Sequence, residues 1–212
     1  MTFFLRRFRR HRQQQTRSLP PLNWVQPWWV HRWREQNQQI TIETPQSNKV
    51  ARSWTLLGNL ESLARIAVDR RGLVAARPGS WSLDWWLRVD DDWIFPSEHG
   101  AVRQRLIDGA PVVETVIRAA GGDLIHRVYA ARADSEYLIV EVDNQATRPV
   151  ALAWAIRPYD HLGGGRVENI GLEDRTLYID GQVGVICGRT PGRLVTGSGG
   201  VDPALSLDKT EE

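Results

Sequence analysis

Asp84, Trp86 and Arg88 stand two residues apart in "SLDWWLRV" (82–89). In an extended strand they share one face, because neighbouring side chains point to opposite sides. A large indole between a carboxylate and a guanidinium can stack a pyranose ring and bond its hydroxyls. It can equally bury itself against a partner domain, a second sheet or another segment of the same chain. All three readings make these residues the first candidate contact site, for carbohydrate or for an interface.

The next chemistry-bearing run is "VDDDW" (89–93), with Asp90, Asp91 and Asp92. Paired carboxylates drive glycoside hydrolysis when they face each other across a sugar. Consecutive residues do not, so the run reads as a solvated turn between strands. Spaced oxygens of the DxDxDG kind, which calcium would want, are missing. "RPYDHLGGG" (157–165) is the second candidate. It places Arg157, Tyr159, Asp160 and His161 in a glycine-rich loop after a strand, where sandwich folds often carry function, and it is expected to border a cleft.

Other reactive side chains read as structural. Glu114, His126 and Tyr129 fall on neighbouring strand segments, but His126 shares a face with Leu124 and Val128 and reads as a half-buried, hydrogen-bonded histidine. Cys187, the one cysteine, lies in "GVICG" and excludes an intrachain disulfide. With no histidine near it in sequence it reads as a small hydrophobe. The five histidines are scattered, without HExxH, so no zinc site is expected. There is no GxxxxGK[ST] and no GxSxG, and "GGG" (163–165) lacks the context of a dinucleotide loop. No catalytic residue, metal or cofactor is nominated.

The elements that must position these residues are strands. From about Ser53 the pattern has period two. On the other face of "WSLDWWLRV", Trp81, Leu83, Trp85, Leu87 and Val89 form a continuous apolar row that reads as core. "VRQRLI" (102–107), "DGAP" and "VVETVIR" (112–118) make a hairpin signal. "LIHRVYAAR" (124–132), "EYLIVEVDN" (136–144) and "PVALAWAIRPY" (149–159) are further strands, and "RTLYIDG" (175–181) with "VGVIC" (183–187) is another hairpin. No long amphipathic helix follows residue 50. Strand, turn, strand at short spacing predicts an all-β antiparallel sandwich.

Composition divides the chain into a basic, Trp- and Gln-rich arm (1–50), a β-sandwich (51–190) and a Gly/Ser/Pro-rich linker or disordered tail (191–212). Pro27 can open a helical turn, with Trp29 and Trp33 on one face. The arm is expected to be largely irregular. It suits a membrane interface, a phosphate-gripping arm, or tryptophans docked on the body. Residues 1–34 carry eight arginines and no acid, leaving 19 basic against 25 acidic residues in the remainder, a net of −6. The pI of about 9.0 therefore does not mark a nucleic-acid-binding fold. There is no secretory signal pattern and no run of about 18 apolar residues that would span a membrane, so a cytoplasmic location is expected.

The ordered pieces "LLGNLESLARIAVDRRGLVAA", "SWSLDWW", "PVVETVIRAAGGDLIHRVYAAR" and "LIVEVDNQATRPVALAWAIRPYDHLGG" resemble the N-terminal domain of bacterial glucoamylase- and trehalase-like glycoside hydrolases. The matching positions are Gly58-Asn59, Val68-Asp69, Gly72, Trp85, Glu114-Thr115, Gly122-Asp123 and Arg157-Pro158-Tyr159-Asp160, and the resemblance covers about residues 53–190. It implies an antiparallel super-sandwich. In that family catalysis belongs to a helical (α/α)6 barrel that follows the sandwich. The resemblance thus implies a non-catalytic N-terminal or accessory domain of such an enzyme, a relic of one, or a truncated or split gene product. Its partner would be a helical-barrel glycosidase domain, or carbohydrate of the starch, maltooligosaccharide or trehalose type. The alternatives are a free-standing carbohydrate-binding module and an interaction protein acting through the Arg/Trp arm.

Overall fold

A computed structural model describes residues 23–31, 54–58, 66–75, 81–119, 121–132, 136–160, 165–197 and 201–208, and the backbone of 2–6, 163 and 164. The strands are β1 (Thr2–Arg6), β2 (Trp54–Leu57), β3 (Ile66–Asp69), β4 (Val74–Ala75), β5 (Ser82–Val89), β6 (Asp92–Ile94), β7 (Val102–Leu106) and β8 (Val112–Ala119). They continue as β9 (Gly122–Arg132), β10 (Glu136–Asn144), β11 (Val150–Arg157), β12 (Tyr159–Asp160), β13 (Gly163–Gly164), β14 (Ile170–Glu173), β15 (Thr176–Ile179) and β16 (Gln182–Cys187).

The fold is all-β and antiparallel, as the alternation predicts. The larger sheet runs β14-β15-β16-β1-β10-β9-β8-β7, and the smaller runs β11-β5-β4-β3-β2 with β6 beside β5. Each hairpin read from the sequence forms, including β7/β8 and β15/β16. The Asp run makes the β5/β6 turn, where Val89 pairs with Asp92 and Asp90 takes a left-handed φ of 55°. All three aspartates are exposed, which fits a solvated turn.

The two sheets share one core. Ile66, Val68, Val74 and Leu83 of the smaller sheet pack with Val113, Val128, Leu138, Val140, Val185 and Cys187 of the larger. A second cluster joins Trp85, Leu87 and Val89 to Ile117 and Leu124. The apolar row of β5 therefore faces the larger sheet. Burying a side chain of this size stabilises by about 1.5–3 kcal/mol.

The opposite face of the smaller sheet is covered too. Ser82, Asp84 and Trp86 are all buried, although a two-layer sandwich would leave that face to water. The cover consists of residues 23–31 and 201–208, segments that composition assigned to an irregular arm and a linker-like tail. Residues 28–31 form a helical turn after Pro27, whose carbonyl accepts from Val30 N at 3.0 Å. Trp29 and Val30 are buried. Pro203–Ser206 form a 3-10 turn capped by Asp202, which is fully buried. β1 inserts between β10 and β16, so residues 2–6 also belong to the folded body. Polar composition misleads here because these segments are held by backbone pairing and a buried ion pair rather than by an apolar stripe. Trp33 and the rest of the arm lie outside the described residues. Among those described, no helix is long and apolar enough to cross a membrane.

Candidate functional site

The polar face of β5 becomes the floor of a buried network. Its partner β11 presents Ala153 opposite Trp86 and Ala155 opposite Asp84. These small residues leave room for the indole to lie flat on the sheet. Trp86 is 1% exposed. Its Nε1 donates to Asp84 Oδ2 at 3.1 Å, its ring meets Phe95 edge-on at 5.4 Å, and the Arg157 guanidinium lies 5.2 Å from its centroid. The candidate contact site is thus inside the molecule. Trp86 and Asp84 offer no surface to a sugar or a partner, because the chain's own segments already cover them. Arg88 points away from them, to Asp91 at 3.2 Å and Asp208 at 4.0 Å.

Arg157, expected to border a cleft, is the hub of this network at 1% exposure. Its Nη1 and Nη2 donate to the two oxygens of Asp202 at 2.6 and 3.0 Å. Its Nε donates to the Tyr159 hydroxyl at 2.8 Å, and Nη2 also reaches the Val25 carbonyl at 2.9 Å. Trp24 covers the guanidinium, with its centroid 5.1 Å away. Asp202 in turn accepts from Val25 N at 2.6 Å and Ala204 N at 3.1 Å. One side chain therefore fastens residues 23–31 and 201–208 to the sheet. Tyr159 is buried edge-on against Trp29 at 6.5 Å, and Asp160 is buried beside it. The loop residues Arg157, Tyr159 and Asp160 serve packing instead of lining a cleft; His161 lies outside the described residues.

The electrostatics follow from burial. Burial pushes the Asp84 carboxyl up to about 6, although Arg157 and the hydrogen bonds from Trp86 and Trp85 pull it down. Burial alone would lower Arg157, but Tyr159, Asp202 and Asp84 raise it overall. Burial also raises the Tyr159 phenol and lifts the Cys187 thiol to about 11, so Cys187 is the inert thiol its surroundings predict.

A second polar cluster closes the turn between β3 and β4. Asp69 Oδ1 accepts from Arg71 N at 2.8 Å and Leu73 N at 2.9 Å, while its Oδ2 is buried without a partner. Burial pushes this carboxyl up to about 7. Gly72 has φ +90°, and a Cβ there would stand 2.7 Å from Trp85 Nε1, so only glycine fits. Trp85 Nε1 donates to the Arg71 carbonyl at 2.9 Å, and its ring stacks on His126 at 4.6 Å. His126 is fully buried, not half-buried, and both ring nitrogens lack a hydrogen-bond partner. Burial drives it down to about 3, which keeps it neutral. It does not meet Glu114 or Tyr129. Those sit on the other face, where Glu114 takes Arg105 and Arg127 and Tyr129 donates to Glu141.

Among the described residues there is a cavity of about 480 Å³. It lies between β2 and β7, the strands that end the two sheets. Thr55, Gln104 and Arg105 line it from those strands, Arg70 and Arg71 from the β3/β4 turn, and Trp28 from the helical turn. Val102 and Val113 add apolar wall. Sequence reading passed over this site. The signal was the "DRRG" of 69–72, which puts two guanidiniums on a tight turn beside a strand end. Among the described residues no group of three or more His, Cys, Asp or Glu could hold a metal ion.

These features define an antiparallel β-sheet body with a structural polar interior and one arginine-lined cavity. No protein-family model matches the chain, and neither does any curated protein or solved structure.

Proposed function

We propose that this chain is a non-catalytic N-terminal or accessory domain of a glucoamylase- or trehalase-type glycoside hydrolase, working by packing on a helical catalytic barrel. The observation that supports this reading is where the motif residues go. Asp69 and Gly72 lie in one of the resembling pieces and Trp85 in the next, and together they form one unit, the capped turn with the indole across it. Thr115 joins them through Gln104, whose Nε2 bonds Thr115 Oγ1 at 2.9 Å and the Asp69 carbonyl at 2.6 Å. Arg157 and Tyr159 hold the cover of the same sheet. Residues recurring in order for their structural work are what a shared domain would retain. The substrate of the whole enzyme would be a carbohydrate of the starch, maltooligosaccharide or trehalose type.

The test is to sequence the coding DNA beyond the Glu212 codon in all frames, then express any encoded helical segment and mix it with this chain. A carboxylate-bearing barrel that forms a one-to-one complex in sedimentation analysis supports the reading. Finding no such segment, or one that sediments separately, sinks it.

A further inference from the structure

We propose that the cavity between β2 and β7 is a binding site for a compact organic oxyanion, a phosphate monoester or carboxylate carried on one or two rings. This goes beyond the accessory-domain reading and does not depend on it.

Size comes first. About 480 Å³ falls in the range of small-molecule sites. Charge comes second. Three arginines line the cavity, and no acidic residue is among its described lining. Arg105 is paired with Glu114 at 2.8 Å, but Glu114 is shared with Arg127 at 2.9 Å, so that group keeps a net positive charge. Arg70 and Arg71 form no ion pair among the described residues, and Arg71 Nε is a buried donor without a partner. The nearest carboxyl, Asp69, spends its Oδ1 on the turn's own amides and is held towards its neutral form by burial. Desolvation already lowers Arg71. A guanidinium in that state gains from a bidentate oxyanion, whose planar or tetrahedral oxygens match its fork.

The third observation is the aromatic part of the wall. The Arg70 guanidinium lies over the Trp28 ring, 6.0 Å from its centroid, so a charged group and an apolar ring meet at one place in the lining. That pairing suits a ligand whose ring carries the anion. Thr55 supplies a hydroxyl that can bond those of the ligand.

The full chain should be titrated with glucose 6-phosphate, glucuronate, inorganic phosphate and glucose, following tryptophan fluorescence and calorimetry. Glucose 6-phosphate or glucuronate should saturate; glucose should not. Arg71→Gln and Arg70→Gln should each weaken the anionic probe about tenfold, with the melting temperature unchanged for the exposed Arg70 variant. Raising salt should weaken binding as well. Which of the two sugar acids binds distinguishes phosphate from carboxylate. Three results would overturn the proposal: no saturation by either sugar acid, glucose binding as tightly as they do, or unchanged affinity in both arginine variants.

Discussion

Removing the Asp202 carboxylate should detach two segments of the chain at once. Asp202→Ala leaves the Arg157 guanidinium, 1% exposed, without the partner that now meets it at 2.6 and 3.0 Å. Deleting one member of a buried pair costs about 3–5 kcal/mol, because a desolvated charge is left behind. The same change removes the acceptor for Val25 N and the cap of the Pro203–Ser206 turn; a lost cap adds about 1 kcal/mol. Against a typical domain stability of about 5–15 kcal/mol, the total of roughly 4–6 kcal/mol is large. Urea unfolding followed by tryptophan fluorescence measures it, since Trp24 and Trp86 both border the guanidinium. The variant should also open Trp86 to acrylamide quenching, which its 1% exposure prevents in the wild type. Replacing both partners, Arg157→Met with Asp202→Leu, should recover part of the loss, because the unpaired guanidinium is gone although Asp84 loses its neighbouring cation and the cap is not restored. A single-variant loss below about 1 kcal/mol, or a double variant less stable than Asp202→Ala, would refute the clamp.

Gly72→Ala should destabilise by at least about 2 kcal/mol, since a Cβ would stand 2.7 Å from Trp85 Nε1 at φ +90°; a melting temperature within two or three degrees of wild type would contradict this. Asp69 has a folded pKa of about 7 against an ordinary 3.8, so it favours folding below pH 4 and that contribution is lost as pH rises through 7. Asp69→Asn, which keeps the Oδ1 acceptor, should stabilise the chain at pH 8 by up to roughly 4 kcal/mol and flatten the pH dependence; equal stability curves for the two proteins would refute the shift. His126 runs the other way: its folded value of about 3 lies below the ordinary 6.5, so its contribution is present above pH 6.5 and lost as pH falls towards 3. Its ring proton shifts in NMR should stay flat from pH 7 to 4.5, and a midpoint above 5 would be inconsistent with a dry, stacked ring.

The all-β architecture was legible because period-two alternation is strong from residue 53 onward and turn residues punctuate it. The inward row of β5, the Asp90–Asp92 turn and the inert thiol followed from the same pattern. What alternation could not reveal was a third layer. It reports which side of a strand is polar, and polar usually means solvent. On β5 it meant a buried network, since Ser82, Asp84 and Trp86 lie under residues distant in sequence. Arg157 and Asp202 are 45 residues apart, and Arg157 and Val25 are 132 apart. No local signal carries such a pairing. Asp202-Pro203 was readable as the start of a capped turn, but nothing nearby in the sequence names Arg157 as its partner. Nor did the face assignment of His126 show that the Trp85 ring would fill the space its hydrogen-bond partner needs.

The same network narrows where the protein can act. Over Ser82, Asp84 and Trp86 the outer face of the smaller sheet is closed by residues 23–31 and 201–208, and the polar groups there are consumed in holding them. The sheet-to-sheet face is apolar core. On the larger sheet, Arg103 and Arg105 of edge strand β7 are tied to Asp123 of β9 and Glu114 of β8. Charged residues along an edge discourage another strand from adding to it. Leu56 and Leu106 remain exposed on the two end strands, but they flank the cavity, and no exposed apolar sheet face accompanies them. An edge guarded against strands and opening on a pocket of guanidiniums favours a small charged ligand over an added strand. It also keeps that pocket apart from the covered sheet face. Arg157 thus holds the covered face together, while Arg70 and Arg71 stand at the separate, open end of the two sheets.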